Sequence, residues 1–307
     1  MKIVLFGAGG QVGWQLRRSL ATLGEVVALD MDSKTRCGDL ARPEGLRATL
    51  RDLKPQVVVN AAAYTAVDRA EADAATAFAI NEAACAVLAQ ETRSLEAWLV
   101  HYSTDYVYDG SGDRPWVETD PTGPLSVYGK SKLAGDQAIA ATTARHLIFR
   151  TSWVYDSWGQ NFLKSILKAA CTRDELSVVA DQWGAPTRAA LIADVTAIAL
   201  RQVMGAPAAE QHAGVYHLAP TGHTTWHAYA SLVVQEALAC GLALRVTPER
   251  IKRTTSAEYP VVAPRPRNSR LETSRLQRTF GICLPAWEDG VRTVVAELAN
   301  QASFLKG

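Results

Sequence analysis

Residues 2–20 read KIVLFGAGGQVGWQLRRSL. Lys2 to Phe6 is a short apolar, β-branched run, which predicts a strand buried on both faces. Glycines follow, and then Val12, Leu16 and Leu20 recur with helical spacing. Gly7, Gly10 and Gly13 form a GxxGxxG pattern between that strand and that helix. Small residues let the backbone approach a pyrophosphate, and a helix N-terminus offers free N–H groups and partial positive charge. Gln11 and Val12, at the helix start, join the glycines as expected cofactor contacts. The more common GxGxxG spacing would begin at Gly7 and Gly9 but meets Val12. A glycine triplet alone can also be a tight strand-to-helix turn; the strand before it and an acid after it favour a nucleotide site.

That acid is Asp30, at the end of EVVALD (25–30), about 20 residues past the loop, where a carboxylate accepts from the hydroxyls of an adenosine ribose. Such a carboxylate favours NADH, while Lys34 and Arg36 just beyond it offer charge for the 2′-phosphate of NADPH, so both cofactors stay open. Asp39 and Leu40 are expected to border the adenine. QVVVN (56–60) predicts another strand, with Ala62, Ala63, Tyr64 and Thr65 at its carboxyl end, along the cofactor's path. An Ala-rich stretch from Asp73 to Thr92 predicts one long helix. WLVHYST (98–104) predicts a strand with Tyr102 beside the cofactor, Ser126 to about Ala141 a helix, and HLIFR (146–150) a strand.

Strands alternating with helices imply parallel pairing. Residues 1–150 are therefore expected to form a Rossmann-like, doubly wound α/β domain. Beyond Arg150 the alternation loosens. Helical patterns lie near 160–170, 188–203, 224–239 and 287–300, with a strand at 214–218, and Pro260, Pro264 and Pro266 exclude a helix across 260–268. Residues 151–307 are expected to be mainly a smaller α+β substrate domain, some of whose segments return to the first sheet.

Lys plus Arg number 32 and Asp plus Glu 31, so nothing suggests a polyanion-binding surface, although a local basic pocket for one phosphorylated ligand remains compatible. The apolar share of 48% and charged share of 21% are ordinary for a globular enzyme. Cys37, Cys85, Cys171, Cys240 and Cys283 are widely spaced and lack a CxxC pair, which fits reduced thiols better than disulfides or zinc. The N-terminus lacks the long apolar stretch of a signal peptide. No segment approaches the roughly 20 apolar residues of a membrane span. A cytoplasmic protein with no nucleic-acid or membrane partner is expected.

Tyr128 and Lys132 form a YxxxK pair, one helical turn apart on one face. A phenol with a pKa near 10 is a poor acid–base group at neutral pH, and a neighbouring ammonium would stabilise its phenolate. Tyr128 could then protonate a carbonyl oxygen as hydride arrives, and Lys132 could also hold the cofactor's ribose hydroxyls. YxxxK alone occurs often on exposed helices. Thr104 at a strand end, placed to hydrogen-bond the reacting oxygen and the tyrosine, turns the pair into a candidate site.

The stretches GAGGQVGW (7–14), HYSTDYVYDG (101–110), VYGKSKLAG (127–135), IFRTSWVY (148–155), DQWGAPT (181–187), GVYHLA (214–219) and RPRNSRL (265–271) closely resemble the dTDP-4-dehydrorhamnose reductase family. The blocks occur in the same order over nearly the whole chain, and the glycine spacing is that of extended short-chain dehydrogenases. The resemblance implies NAD(P)H-dependent reduction of the 4-keto group of dTDP-4-dehydro-L-rhamnose, in the supply of dTDP-L-rhamnose for bacterial surface polysaccharide. It implies Tyr128 as proton donor, Lys132 as its partner, Thr104 as the tuning hydroxyl, and Asp105 and Trp153 as substrate contacts. Arg265 or Arg267 would pair with the nucleotide's phosphates. It also implies Mg2+ held by acidic side chains at a subunit contact. Here the residues after Pro186 are Thr-Arg-Ala-Ala-Leu, with no acid until Asp194, and Gln15 occupies an early helix position. No carboxylate cluster with metal-binding spacing results, so no metal site is expected, and a homodimer built on one is left open.

Several features have bland readings. His223 and His227, four apart, lack a third ligand. Trp98 and Trp287 are expected in core or interface packing. Arg69 and Glu71 suit a solvated helix start. Three rivals are weighed. A 4,6-dehydratase needs an extra acid–base pair, and its family typically shows Thr-Asp-Glu where this chain has Thr104-Asp105-Tyr106. An epimerase would retain tightly bound cofactor. A non-catalytic NADP-binding regulatory subunit would not need Thr104, Tyr128 and Lys132 together.

Overall fold

Alternate residues of β1 (Lys2–Phe6) serve two different cores. Ile3 and Leu5 enter one apolar cluster, and Val4 and Phe6 enter another. The side-chain period of two delivers both faces of a fully buried strand to helices on either side. In the computed structural model, which describes residues 1–206 and 209–301, that strand lies inside a six-stranded parallel sheet. The first half runs β1, α1 (Gln11–Ala21), β2 (Glu25–Leu29), α2 (Pro43–Leu53), β3 (Val57–Asn60), α3 (Val67–Ala72), α4 (Ala74–Phe78), α5 (Ala84–Ser94), β4 (Trp98–Thr104), α6 (Val127–Thr142) and β5 (His146–Thr151). Next come β6 (Val154–Tyr155), α7 (Phe162–Thr172), β7 (Leu176–Val179), β8 (Trp183–Gly184), β9 (Thr187–Arg188), α8 (Ala189–Gly205) and β10 (Gly214–His217). The chain ends with β11 (Thr224–Thr225), α9 (Trp226–Ala239), β12 (Ile251–Thr254), α10 (Ser274–Phe280) and α11 (Trp287–Asn300).

The strand order is β10-β5-β4-β3-β1-β2, with every neighbouring pair parallel. Leu16 and Leu20 of α1, together with α8 and α10, cover one face of this sheet; α2, α5 and α6 cover the other. Thus α8, β10 and α10, all beyond residue 150, belong structurally to the main sheet. The rest of the second half packs around its own cluster, in which Leu163 and Leu167 of α7, Tyr229 and Val233 of α9, and Val291 and Val295 of α11 meet. Short two-stranded pairings, β7 with β12, β8 with β11 and β6 with β9, edge this lobe. Positions 207–208 and 302–307 of the expected second domain lie outside the described residues. Among those described, no helix is long and apolar enough to cross a membrane.

One expected element is not continuous. The helix predicted from Asp73 to Thr92 is broken into α4, a π-helical turn at Ala79–Ala83, and α5. Asn81 sits in the widened turn, almost fully buried. Its amide accepts from Tyr64 N–H at 2.9 Å and donates to Tyr64 O and to Ser131 Oγ. Gly135 of α6 packs so closely that a Cβ there would fall 2.0 Å from Asn81 O. A π-turn places that amide between the loop after β3 and α6, and such turns concentrate at functional sites.

Candidate active site

In this strand order, β2 lies to one side of β1 and β3 to the other, so the crossovers reverse direction between β1 and β3. A crevice opens outside the carboxyl ends of strands at such a point. A cleft of about 590 Å³ lies there, lined by the loops after β1 and β3, the ends of β4 and β5, and the start of α6. Gly7 has φ +77, and a Cβ on it would fall 2.6 Å from Ala62 N. A Cβ on Gly13 would fall 1.9 Å from Gly7 O, so Gly13 serves the packing of helix on loop and does not line the cleft. Gly10 lines the cleft, where a Cβ would meet only Gly7 O at 3.4 Å, and α1 begins there with no side-chain cap and no acid in its first turn. Its free N–H groups and partial positive charge suit a pyrophosphate. Trp158 Nε1 donates to Gly9 O at 2.9 Å and its ring stacks on Trp14, bracing the loop from outside.

Asp30 accepts from Gly9 N–H at 3.0 Å through Oδ1 and lines the cleft. Arg36 is ion-paired with Asp52 at 2.9 Å, and Lys34 is exposed; neither lines the cleft. Gln11, Val12, Asp39, Leu40, Ala62, Ala63, Thr65 and Tyr102 do line it. Tyr64 turns away instead, its hydroxyl donating to Asp73 at 3.2 Å. These residues fit a nicotinamide dinucleotide.

At the far end of the cleft stand Thr104, Asp105, Tyr128, Lys132 and Trp153. Ser126 caps α6, its Oγ accepting from Gly129 N–H at 3.1 Å, and Glu71 accepts Val127 N–H at 2.8 Å. A Cβ on Gly129 would fall 2.3 Å from Tyr106 O, so glycine lets the helix start press against the turn after β4. Tyr128 and Thr104 are thereby brought together. Burial pushes the Tyr128 phenol up, while a hydrogen bond with Thr104 favours its phenolate. Lys132 is buried and aims at β4 rather than at Tyr128, donating to Tyr102 O at 2.6 Å and meeting His101 Nε2 at 3.0 Å. Burial lowers its pKa. The expectation that this ammonium depresses the tyrosine is therefore corrected, because the side chain's polar partners lie in the strand behind it.

Asp105 is buried, with its carboxyl pushed up to about 6, chiefly by burial, and its Oδ2 unpartnered. An orphaned acceptor in the cleft wall suits a sugar hydroxyl. Tyr106 lies edge-on to Tyr128 at 5.6 Å, its own phenol pushed up by burial. Trp153 has φ +46, a left-handed conformation that costs a bulky residue ~1–2 kcal/mol. It is held there by Thr187 N–H donating to its carbonyl at 3.2 Å and by Trp226 stacked on its ring at 3.7 Å. Gly184 makes the room, since a Cβ there would lie 2.5 Å from the Trp153 ring.

The two arginines expected at the nucleotide do not line the cleft. Arg265 pairs with Asp68 at 2.7 Å, leaving its Nη1 buried without a partner, and Arg267 is exposed near Asp181. The residues implied by an Mg2+ site do not fit a metal. Gln15 carries no carboxylate, and its Nε2 is engaged in donating to buried Asp156 at 3.1 Å. Asp194 is taken by Arg18 and Ser19. Among the described residues, no group of three or more His, Cys, Asp or Glu side chains could hold a metal ion. His227 meets Ile251 O and His223 lies edge-on to Trp183.

Sequence reasoning missed Trp226, Asn60 and Tyr106 as cleft residues. For Trp226 no signal existed, because an aromatic at a helix start reads as core. Asn60 carried one, a polar residue closing an apolar strand.

Fold and cleft together define an NAD(P)-dependent oxidoreductase built on a parallel α/β sheet. The model of the RmlD substrate binding domain matches residues 1–300. The dTDP-4-dehydrorhamnose reductase of Salmonella typhimurium is 50% identical over 298 residues, covering 97% of this chain and 98% of that one. That of Burkholderia thailandensis is 48% identical over 302 residues, covering 98% of this chain and 100% of that one. Among solved structures, a dTDP-4-dehydrorhamnose reductase from Clostridium acetobutylicum superposes with TM-score 0.87 at 32% identity, covering 97% of this chain and 99% of that one. One from Bacillus anthracis in complex with NADP gives TM-score 0.85 at 28% identity, covering 96% of this chain and 99% of that one. The chain belongs to the dTDP-4-dehydrorhamnose reductase family.

Proposed function

We propose that this protein reduces the 4-keto group of dTDP-4-dehydro-L-rhamnose to give dTDP-L-rhamnose, using NADPH or NADH, as the last step of dTDP-rhamnose supply for bacterial surface polysaccharide. The observation that carries the reading is the meeting of Thr104, Tyr128 and Lys132 at one end of a cleft whose other end is a glycine loop. The reduced nicotinamide, when bound, supplies hydride to the carbonyl carbon. Tyr128, kept a phenol by burial, gives its proton to the carbonyl oxygen, and Thr104 orients that phenol. Lys132, which lines the cleft, would hold the cofactor's ribose hydroxyls. Asp105 offers its free oxygen to a sugar hydroxyl, and Trp153 backed by Trp226 gives the sugar a flat wall. Arg265, with one unpartnered nitrogen, is the better placed of the two arginines for the diphosphate.

Dehydration is disfavoured by Tyr106. It occupies the position of the dehydratase family's glutamate, and burial makes it a poor base. Absorbance of NADPH and of NADH, followed with the keto sugar, tests the proposal: substrate-dependent oxidation supports it, and none with either cofactor overturns it.

A further inference from the structure

The glycine loop is held from outside the cleft by a segment of the second half of the chain. Residues 156–161, DSWGQN, run from the end of β6 to the start of α7, and none of them lines the cleft. Three hydrogen bonds join this segment to the loop and to α1. Trp158 Nε1 donates to Gly9 O at 2.9 Å, Asn161 Nδ2 donates to Gln11 Oε1 at 2.9 Å, and Gln15 Nε2 donates to Asp156 Oδ1 at 3.1 Å. The segment is itself braced. Asn161 caps α7, its Oδ1 accepting from Lys164 N–H at 3.1 Å, and its Nδ2 also donates to Asp156 O at 2.7 Å. Lys164 Nζ donates to Ser157 O at 3.1 Å. Gly159 has φ +76, and a Cβ there would fall 2.8 Å from Gln11 Cγ, so glycine lets the turn lie against Gln11. The Trp158 ring stacks on Trp14 at 4.3 Å, and Arg17 lies over the Trp14 ring at 5.0 Å.

What the segment fixes is the orientation of one peptide. Gly9 and Gly10 are adjacent glycines, where a peptide plane turns over most easily because no Cβ opposes it. The Gly9 carbonyl carries partial negative charge, and turned toward the cleft it would oppose a pyrophosphate. Trp158 holds it outward. On the same peptide, the Gly10 N–H donates to Gly7 O at 3.2 Å. The Gly9 N–H donates to Asp30 Oδ1 at 3.0 Å, and the Gly10 carbonyl accepts from Trp14 N–H at 2.8 Å. The polar groups of these two glycines are thus engaged in holding the loop's own shape. The N–H groups of Gln11 and Val12, which line the cleft, have no acceptor among the described residues.

We infer that Trp158 and Asn161 are positioning residues for the cofactor: reaching over from the second lobe, they hold the Gly9–Gly10 peptide and Gln11 so that the free N–H groups at the start of α1 meet the pyrophosphate. The inference rests on a dinucleotide lying in the cleft and not on which sugar is reduced. The competing reading is that the two indoles merely cover α1. The readings part at Trp158→Phe, because phenylalanine keeps a ring on Trp14 and loses the N–H.

Calorimetry with NADPH in the absence of sugar reads the cofactor site alone. Trp158→Phe should raise the Kd about fivefold, the effect of losing one hydrogen bond. Asn161→Ser keeps an oxygen to cap α7 but is too short to reach Gln11, and should raise the Kd by a similar factor. In turnover both should raise KM for the cofactor while kcat and KM for the sugar stay within about twofold of wild type. Amide hydrogen exchange on the ligand-free protein should be faster at Gly9 and Gly10 in Trp158→Phe, which loss of mere cover would not produce. An unchanged Kd in Trp158→Phe, a loss confined to kcat, or a raised Kd with exchange at the loop unchanged would overturn the inference. If Asn161→Ser does not fold, Trp158→Phe decides alone. A wild type that binds neither NADPH nor NADH would overturn the reading of the cleft and this inference with it. Equal binding by wild type and both variants would overturn this inference alone.

Discussion

The two walls of the cleft are built in opposite ways. The wall carrying Thr104, Tyr128 and Lys132 stands on a seven-residue strand and a sixteen-residue helix, both packed into the main cores. The wall carrying Trp153 stands on two-residue strands and a pair of stacked indoles. The first holds its side chains by hydrogen bonds to backbone and to buried neighbours. The second holds a strained backbone by a carbonyl contact, an aromatic stack and the missing Cβ of Gly184. Proton transfer tolerates little displacement, whereas a flat apolar wall need only be in place. Rigid elements thus carry the proposed chemistry, and the proposed sugar wall falls to the less regular lobe.

Substitutions on the first wall should therefore strike turnover, and those on the second substrate affinity. Tyr128→Phe should lower kcat on the order of 10²-fold or more while cofactor affinity survives, because only the proton donor is lost. Near-normal turnover would erase the distinction between the walls. Lys132→Met should weaken both turnover and cofactor binding, and unchanged affinity by calorimetry would remove its role at the ribose. Gly184→Ala pushes a methyl into the Trp153 ring. It should raise KM for the sugar about tenfold with a smaller change in kcat; a kcat effect alone would show that the second wall also governs the chemistry.

Asp105→Asn sharpens the comparison through stability. The folded protein raises the Asp105 carboxyl from 3.8 to about 6, so it binds that proton more tightly than the unfolded chain does. The stability this contributes is fully present below pH 3.8 and is lost as pH rises through about 6. Thermal melts should show wild type losing stability relative to Asp105→Asn across that window, and parallel curves would remove the burial penalty. The smallest effect should come from exposed Arg267→Ala, less than about twofold in KM.

The same contrast explains what was legible in the sequence. β1, the glycine loop, β4 and the start of α6 were readable because strand period, glycine spacing and the YxxxK turn are local. The break at Asn81 was not, since its cause is contact with Tyr64 and Ser131, far away in sequence. Helix α2 begins at Pro43 and has no place in the sequence-based element order, and the two-residue strands of the second wall are too short to show any period. The motif points to both Arg265 and Arg267, and only the fold shows one tied to Asp68 and the other in solvent. The YxxxK spacing points to Lys132, which lines the cleft, but its polar partners, His101 and the Tyr102 carbonyl, belong to a strand that reads simply as buried.

The central claim is that hydride and proton arrive at the 4-keto group and nowhere else. Product NMR after turnover of dTDP-4-dehydro-L-rhamnose with cofactor deuterated at the transferred position tests it most directly. The account predicts one deuterium at C4 of the sugar in wild type and almost no product from Tyr128→Phe. Deuterium at C6, or none in the product, would contradict it.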